Sequence, residues 1–544
     1  MTSQTTVDKA DEAPEPVPTS AEPSALDGRR GLRGHPWLTL FSVAIGVMMV
    51  ALDGTIVAVA NPAITKDLGA SLADVQWITN GYLLALAVAL ITAGKLGDRF
   101  GHRQTFLIGV VGFALASGAI GLSGSVSLVI AFRVLQGLFG ALLMPAALGL
   151  LRATFPAAQL NMAIGIWGMV IGASTAGGPI LGGVLVEHVN WQSVFFINVP
   201  VGVLALVLGV LILKDHRARN APRSFDVPGI VLLSAAMFAL IWALIKAGDP
   251  WGWDSGRTWA FLGASAVCFA LFAWWENRVA EPLIPLGLFR SVPLSAGTAL
   301  MVLMAFAFMG GLFFVTFYLQ NVHGMSPVDS GLHLLPLTAM MIVSSPLAGA
   351  LITRFGPRVP LVGGMVCTAV AMFGMTTMTT GTGTLPMSLW FALLGLGLAP
   401  VMVGATEVIV GNAPLELSGV AGGLQQAGMQ VGGSLGTAVL GAVMSHTVDS
   451  DLKGDWQDAG LPGTPPPGLD KAAATGSVPE QVGQAPGVNE RVLGTITDVV
   501  HDTFMSGMGV AFTVAGVVGV IAAVVATLTK RGANAEAGAG AAHI

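Results

Sequence analysis

The sequence predicts an all-α membrane protein with fourteen spans, arranged as two six-helix bundles with a two-helix insert between them. Of the 544 residues, 53% are hydrophobic and only 10% are charged, whereas a soluble protein has about 25% charged residues. Apolar segments of about 20 residues, long enough to cross a bilayer as helices, recur along the chain. A charged loop that follows one of these segments is repeated in the second half of the chain.

The fourteen spans are apolar stretches bounded by charged or Gly- and Pro-rich segments. They lie near residues 37–62, 75–94, 104–123, 127–151, 162–186, 194–213, 228–247, 258–275, 294–320, 331–351, 360–378, 386–410, 418–445 and 504–528. Residues 1–36 are acidic and Pro-rich, so we expect a disordered tail there, with the first span acting as the insertion signal. Residues 530–544 are expected to form a second tail.

The repeated loop fixes the arrangement of the spans. It reads GKLGDRFGHR at Gly94–Arg103, after span 2, and GALITRFGPR at Gly349–Arg358, after span 10. Six of the ten positions match in register, and Thr353 stands where the first copy has Asp98. A duplicated six-helix unit would put the second copy after span 8, so the two spans near 228–275 are an insert. The predicted parts are a first bundle at 37–213, a linker with the insert at 214–293 and a second bundle at 294–529.

The distribution of Lys and Arg predicts the orientation. With a cytoplasmic N-terminus, the cytoplasmic face carries 18 of the 25 basic residues and the other face carries 6. Because the number of spans is even, both termini are expected in the cytoplasm. Residues 446–503, which contain LPGTPPPG, are expected to form a long extracellular loop, mostly irregular and loosely held.

Three ionisable residues within spans are candidates for proton coupling. Asp53 lies deep in span 1 and could carry a proton, face a cationic substrate, or be permanently hydrogen-bonded. Arg133 lies in span 4 beside Gln136 and small residues, so it either faces a wet cavity or helix interface or reaches out to the membrane surface. Glu407 is the only clear acid in the spans of the second bundle, and it could equally reach headgroup water.

Uncharged polar residues within spans are candidates for lining a substrate cavity. Gln426 and Gln430 share a face of span 13, and an interhelical hydrogen-bonding role suits them equally well. Gln76 and Asn80 form a similar pair in span 2, and Gln136 lies one turn from Arg133. Span 5 carries a stripe of small residues that includes Pro179 and Gly183, which favours either tight helix packing or a local hinge.

Several chemistries are excluded by the motifs that are missing from the sequence. Leu96 occupies the position where a nucleotide-binding loop would need Ser or Thr after AGK. No cluster of His, Cys and carboxylate residues has metal-ligand spacing, and no nucleophile elbow is present. Cys268 and Cys367 both fall within spans, so no disulfide is expected. We expect neither an enzyme, nor a cofactor or metal, and the net charge of −5 gives no reason for a nucleic-acid partner.

With these residues identified, the chain resembles the major facilitator superfamily, specifically its fourteen-span drug:proton antiporter branch. The loop motif of that superfamily, which helps to lock the outward-facing state, matches at Gly94, Leu96, Asp98, Arg99, Gly101 and Arg103. Its fourth-helix motif, whose Arg is associated with proton coupling, matches at Arg133, Gln136, Gly137 and Gly140. The fifth-helix motif of exporters matches at Gly178, Pro179, Gly182 and Gly183. The first-helix motif of the branch matches at Leu52, Asp53, Thr55, Ile56, Val57 and Pro62.

The resemblance implies a major facilitator fold and a function. It implies a proton-coupled antiporter of the cytoplasmic membrane that works as a monomer. The expected substrates are small amphipathic compounds, such as drugs, antibiotics or toxic metabolites, exported by alternating access. A proton-coupled importer, or an exporter of one specific metabolite, with the same fold is the alternative.

Overall fold

Fourteen helices of membrane-spanning length make up most of the structure. The computed structural model describes residues 32–530 except 71, 215–225, 249–250, 281, 415–416, 480–481 and 483–488. The long helices are α1 (Pro36–Leu68), α2 (Leu72–Phe100), α3 (His102–Gly121), α4 (Val126–Thr154), α5 (Ala157–His188), α6 (Asn198–Ile212), α7 (Val227–Gly248), α8 (Gly256–Glu276), α9 (Val292–Phe317), α10 (Leu335–Phe355), α11 (Arg358–Met375), α12 (Thr384–Asn412), α13 (Ser418–Asp458) and α14 (Glu490–Ala526). The fourteen segments are long and apolar enough to cross a bilayer, and the described residues contain no strand. The predicted fold class is confirmed, whereas most of both predicted tails lies outside the described residues.

Short helical turns extend α6, α9 and α10 or lie in the connections between helices. They are Ser193–Phe196 before α6, Leu286–Arg290 before α9, Tyr318–Val322 after α9, Pro327–His333 before α10, and Leu469–Ala473 between α13 and α14. Both copies of the repeated loop turn on a glycine at the same register position. Gly101 has a φ of 98° between α2 and α3, and Gly356 has a φ of 82° between α10 and α11. Because residues with a Cβ rarely adopt such angles, these glycines make the two turns alike.

Helices α1–α6 form the first bundle and α9–α14 form the second. The bundles meet where α2 packs on α13 and where α5 packs on α10. We call the end of the molecule that carries Gly94–Arg103 the motif face. A Cβ atom at Gly423 would lie 2.8 Å from the carbonyl oxygen of Leu90 in the other bundle. Such close backbone approaches lie in the halves of the helices nearest the motif face, so the molecule is closed there.

The insert, α7 and α8, covers the seam between the two bundles rather than standing apart from it. Helix α7 packs on α8, and it also contacts α2 of the first bundle and α13 of the second. Met237 and Ile241 of α7 share an apolar core with Ile91 of α2 and Val420 of α13. The insert therefore buries apolar surface from both bundles at once.

The expectation of a mostly irregular, loosely held segment at 446–503 is wrong. Helix α13 continues to Asp458 and α14 already begins at Glu490, so both helices extend well beyond the predicted spans. Leu452 and Trp456 on this extension of α13 are buried, as is Leu469 in the connection. Amphipathic packing thus keeps these turns helical although their composition is too polar for a membrane span.

Candidate functional site

A buried ion pair lies at the centre of the first bundle, between Asp53 of α1 and Arg133 of α4. The other carboxylate oxygen of Asp53 accepts hydrogen bonds from Gln136 Nε2 at 3.1 Å and from Asn198 Nδ2 at 3.3 Å. Asp53 and Gln136 are fully buried, and Arg133 and Asn198 are 1% and 2% exposed. Helices α4 and α6 thus contribute three donor side chains to one carboxylate of α1, which satisfies the acid without water.

Arg133 has partners of its own besides the acid. Its Nε donates to the carbonyl oxygen of Ile78 at 3.0 Å, and its Nη1 donates to Gln136 Oε1 at 2.8 Å. The guanidinium carbon lies 4.1 Å from the centre of the Tyr82 ring, a favourable cation–π distance. The guanidinium therefore keeps several contacts that do not depend on the charge of Asp53.

Two residues of this site were not identified as site residues from the sequence. Asn198 begins α6, and its Nδ2 also donates to Ser117 Oγ of α3 at 3.0 Å. Ser117 in turn donates to the carbonyl oxygen of Phe195 at 2.9 Å. Asn198 is a polar side chain at the start of an apolar span, which is a sequence feature that marks it. Its contact with Asp53 could not be inferred, because the two residues are 145 positions apart in the sequence.

The first loop motif fastens the motif face through Asp98. This carboxylate is 4% exposed and accepts hydrogen bonds from the backbone N–H groups of Gly419, at 2.8 Å, and Val420, at 3.0 Å. These groups lie at the N-terminus of α13, where the helix dipole favours a negative charge. His102 Nε2 lies 3.4 Å from Asp98 and 3.2 Å from Ser418 Oγ. The loop of one bundle thus caps a helix of the other.

A second contact between the bundles is made by a positively charged side chain. Arg152, near the end of α4, is 9% exposed, and its Nη2 donates to the carbonyl oxygen of Ala413 at 2.6 Å. Its Nη1 lies 3.5 Å from the carbonyl oxygen of Pro414. Ala413 follows the last residue of α12, where the helix dipole favours a cation. Arg152 was counted in the sequence only as a basic residue for orientation.

The other residues of the loop motif make separate contacts, some with the second bundle and some within the first. Gly94 packs so closely on Gly419 that a Cβ atom would collide with the backbone of α13. Arg103 donates to the carbonyl oxygen of Val210 at 3.2 Å within the first bundle. Arg99 lies over the Phe100 ring. Gly94 and Asp98 are thus the predicted positions for which a contact with α13 of the other bundle is seen.

The exporter-type motif of α5 packs against α1 beside the ion pair. A Cβ atom at Gly178 would collide with Thr55, and one at Gly182 would lie 2.9 Å from Ile56 Cγ1. Gly183 does not pack on α1; a Cβ atom added there would lie 3.5 Å from Val328 Cγ2. This confirms a tight packing seam, and the hinge role stays a prediction. The side chain of Pro179 lies outside the described residues.

The predicted polar cavity residues divide into two groups. Gln136 belongs to the ion-pair site. Asn80, Gln426 and Gln430 are partly exposed, and the structure gives them no hydrogen bond to another described residue. Polar side chains that stay partly exposed at membrane depth favour a water-filled space. Gln76 has no described side chain, and Glu407 is buried in α12, outside the Asp53 site.

Comparisons with known proteins agree with this architecture. A family model described as Major Facilitator Superfamily matches residues 43–437. The chain is 65% identical over 518 residues to a tetracenomycin C resistance and export protein of Streptomyces glaucescens, covering 94% of this chain and 95% of the relative. It is 33% identical to the multidrug efflux pump LfrA of Mycolicibacterium smegmatis, over 76% of this chain and 82% of that protein. The crystal structure of the human organic anion transporter MFSD10 gives a TM-score of 0.60 at 10% identity, over 90% of this chain and 99% of that one.

These findings confirm the family predicted from the sequence motifs. The family model extends from α1 through the insert into α13 of the second bundle, and the structural likeness extends over nine-tenths of the chain although the sequences have diverged. Relatives of this kind are transporters rather than enzymes. The chain is therefore a membrane-spanning transporter of the major facilitator superfamily.

Proposed function

We propose that this transporter exports small amphipathic, antibiotic-like compounds from the cytoplasm in exchange for protons. The observation that carries this proposal is the buried Asp53–Arg133 pair, an ionisable site enclosed at membrane depth. The name of the 65% identical relative makes tetracenomycin C the first compound to test. The likeness to LfrA supports export as the direction of transport.

The proton is received at Asp53 in this mechanism. Protonation neutralises the carboxylate and breaks the ion pair, and Arg133 then stays bound to Gln136, Ile78 and the Tyr82 ring. The buried cation is thus never left without partners, which lowers the cost of breaking the pair. Proton entry supplies about 2.3 kcal/mol per 100 mV of membrane potential and about 1.4 kcal/mol per pH unit, which is sufficient for uphill export.

The contacts at the motif face set the direction of access. With Asp98 on the start of α13 and Arg152 on the end of α12, that face is closed. We assign the motif face to the cytoplasm, following the distribution of basic residues, so that this conformation receives protons from outside. Release of the two contacts opens the cavity to the cytoplasm.

The substrate cavity lies between the bundles in this proposal. Asn80 of the first bundle and Gln426 and Gln430 of the second supply polar groups to it, and Gln76 joins them by sequence position. Glu407 is the proton-coupling acid of the second bundle. The transporter works as a monomer in a bacterial cytoplasmic membrane with both termini in the cytoplasm, and the parts are those predicted: bundles at 37–213 and 294–529 with the insert region at 214–293.

Transport of tetracenomycin C into inside-out membrane vesicles tests the function. We expect accumulation when the vesicle interior is acidified, loss of accumulation when an ionophore collapses the proton gradient, and loss in Asp53→Asn. Asp449→Asn, an exposed acid on α13, is the matched control and should transport normally. Accumulation in Asp53→Asn equal to wild type would remove Asp53 from the mechanism, and uptake in the opposite direction would reverse the proposal.

A further inference from the structure

Two buried acids lie at the motif-face ends of the insert helices, apart from the Asp53 site. Asp226 precedes α7 and is 7% exposed, and Glu276 is the last residue of α8 and is 4% exposed. Nothing in the transport mechanism above uses either residue. Burial of two carboxyl groups beside each other is costly unless each oxygen is satisfied.

One oxygen of each acid has clear hydrogen-bond donors. Asp226 Oδ1 accepts from the backbone N–H of Gly229 at 2.9 Å and from Trp275 Nε1 at 2.7 Å. Glu276 Oε2 accepts from the backbone N–H of Ile284 at 3.2 Å. The remaining oxygens, Asp226 Oδ2 and Glu276 Oε1, receive a hydrogen bond from no donor in the described part of the chain.

These two remaining oxygens face each other. Both crowd the Cα of Gly229, where an added Cβ atom would collide with Asp226 Oδ2 and lie 2.7 Å from Glu276 Oε1. The two carboxyl groups are within hydrogen-bonding reach of one another. Two ionised carboxylates in this arrangement repel, and a carboxyl pair at such a distance holds a proton between its oxygens.

Basic side chains of the neighbouring elements have partners of their own. On α2, Lys95 donates instead to the carbonyl oxygen of Pro282 at 2.7 Å, Asp98 faces the start of α13, and Arg99 lies over Phe100. Arg278, just beyond α8, lies 4.2 Å from the centre of the Trp274 ring. The part of α13 that packs here presents uncharged residues, and Lys246 of α7 is at the far end of its helix.

We propose that Asp226 and Glu276 form a binding site for one proton, shared between Asp226 Oδ2 and Glu276 Oε1, which fastens the insert over the seam between the bundles. The shared proton gives both oxygens the partner that the described residues do not provide. A metal ion is a poorer occupant, because Mg²⁺ held by two carboxylates keeps several waters, and acids only 7% and 4% exposed leave little room for them. No metal-binding group of three residues occurs in the described part of the chain.

The site is joined to the motif-face contacts through the segment after α8. Leu283 and Ile284, the latter bonded to Glu276, are buried in the same core as Val420, whose backbone N–H donates to Asp98. Pro282 of the same segment accepts from Lys95 of the loop motif. Loss of the proton leaves two facing negative charges and loosens this segment from the seam. The proposal is independent of which compound is transported and of what drives its transport.

Infrared spectroscopy of the purified full-length protein in lipid nanodiscs tests the site. We expect a C=O stretch of a protonated carboxyl group at neutral pH that disappears in one step on alkalinisation. Both Asp226→Asn and Glu276→Gln should remove this signal, and Asp449→Asn should retain it. A wild-type protein without the signal, or a signal that persists in both variants, would overturn the proposal. Loss of the signal on addition of Mg²⁺ or Ca²⁺ at constant pH would also overturn it, in favour of a metal site.

Trp275 offers a second readout, because its indole N–H is bonded to Asp226. We expect its fluorescence to follow the same pH step in wild type. In Glu276→Gln the amide supplies a permanent N–H donor to Asp226 Oδ2, so this variant should fold normally and lose the pH step. The Trp275→Phe variant identifies the contribution of this indole. A pH step of unchanged midpoint in Glu276→Gln would contradict the shared proton.

Discussion

Replacement of Asp98 by Asn should destabilise closure at the motif face without unfolding the protein. The carboxylate accepts two backbone N–H groups at the start of α13. The amide of Asn keeps one acceptor oxygen, but it loses the negative charge and turns an NH₂ group toward a backbone donor. Hydrogen bonds to charged groups contribute about 1.5–3 kcal/mol. The equilibrium constant between the closed and the open state should therefore shift toward the open state by roughly 10- to 150-fold.

Labelling of a buried thiol measures this change. Ser345 is 2% exposed at the seam between α10 and α5, where its Oγ donates to the carbonyl oxygen of Gly165 at 2.6 Å. With Cys268 and Cys367 replaced by Ser, Ser345→Cys reacts with a membrane-impermeant maleimide only when the seam opens. While the open state stays a minority, the labelling rate in inside-out vesicles should rise by about the same factor.

Two controls separate gating from other effects. Asp449→Asn removes a charge from an exposed position and should leave the labelling rate unchanged. The apparent affinity for tetracenomycin C should not fall in Asp98→Asn, because Asp98 lies at the seam rather than at the proposed cavity and a larger open population favours binding from the cytoplasm. A labelling rate in Asp98→Asn equal to wild type would refute the assigned role of this carboxylate.

The remaining predictions concern three further contacts. Arg152→Met should also raise Ser345→Cys labelling, because it removes a charged donor to Ala413 worth about 1.5–3 kcal/mol; unchanged labelling would contradict the contact. Gly182→Ala should lower the thermal unfolding temperature, since overpacking against Ile56 costs about 1–3 kcal/mol, whereas Gly183→Ala, with its nearest contact at 3.5 Å, should not; equal temperatures would refute the packing seam. Asn198→Ala should reduce stability by about 1–3 kcal/mol, measured by thermal unfolding, because Asp53 loses a buried donor; a stability equal to wild type would contradict that hydrogen bond.

The fold was largely predictable because bilayer thickness restricts the length and composition of each span. The repeated loop then located the insert, and Gly101 and Gly356 now show the same backbone turn in both copies. The extension of α13 was missed for a physical reason. Its outer turns are too polar for a span, and only tertiary burial of residues such as Trp456 keeps them helical.

The site was predictable in its residues but not in its connections. Asp53 in span 1 and Arg133 in span 4 could be predicted as site residues, because charges at membrane depth are costly and therefore rare without a function. Asn198 was not predicted to be a site residue, because a single amide at the start of a span is common in structural roles. Arg152 and Asp226 were not predicted to be site residues, because their partners are backbone groups, a distant indole N–H or another acid, and such partners leave no pattern in a sequence.

The two contacts at the motif face place opposite charges on opposite helix ends of the same connection. Asp98 lies on the N-terminus of α13 and Arg152 on the C-terminus of α12, and only a few residues separate these two ends. Each charge has the sign that its helix dipole favours. The first bundle therefore holds the α12–α13 connection at two points, through backbone groups of the second bundle. This mode of closure constrains the charge of Asp98 and Arg152 directly, whereas it constrains α13 through space, because a Cβ atom at Gly419 would lie 2.8 Å from Asp98 Oδ1.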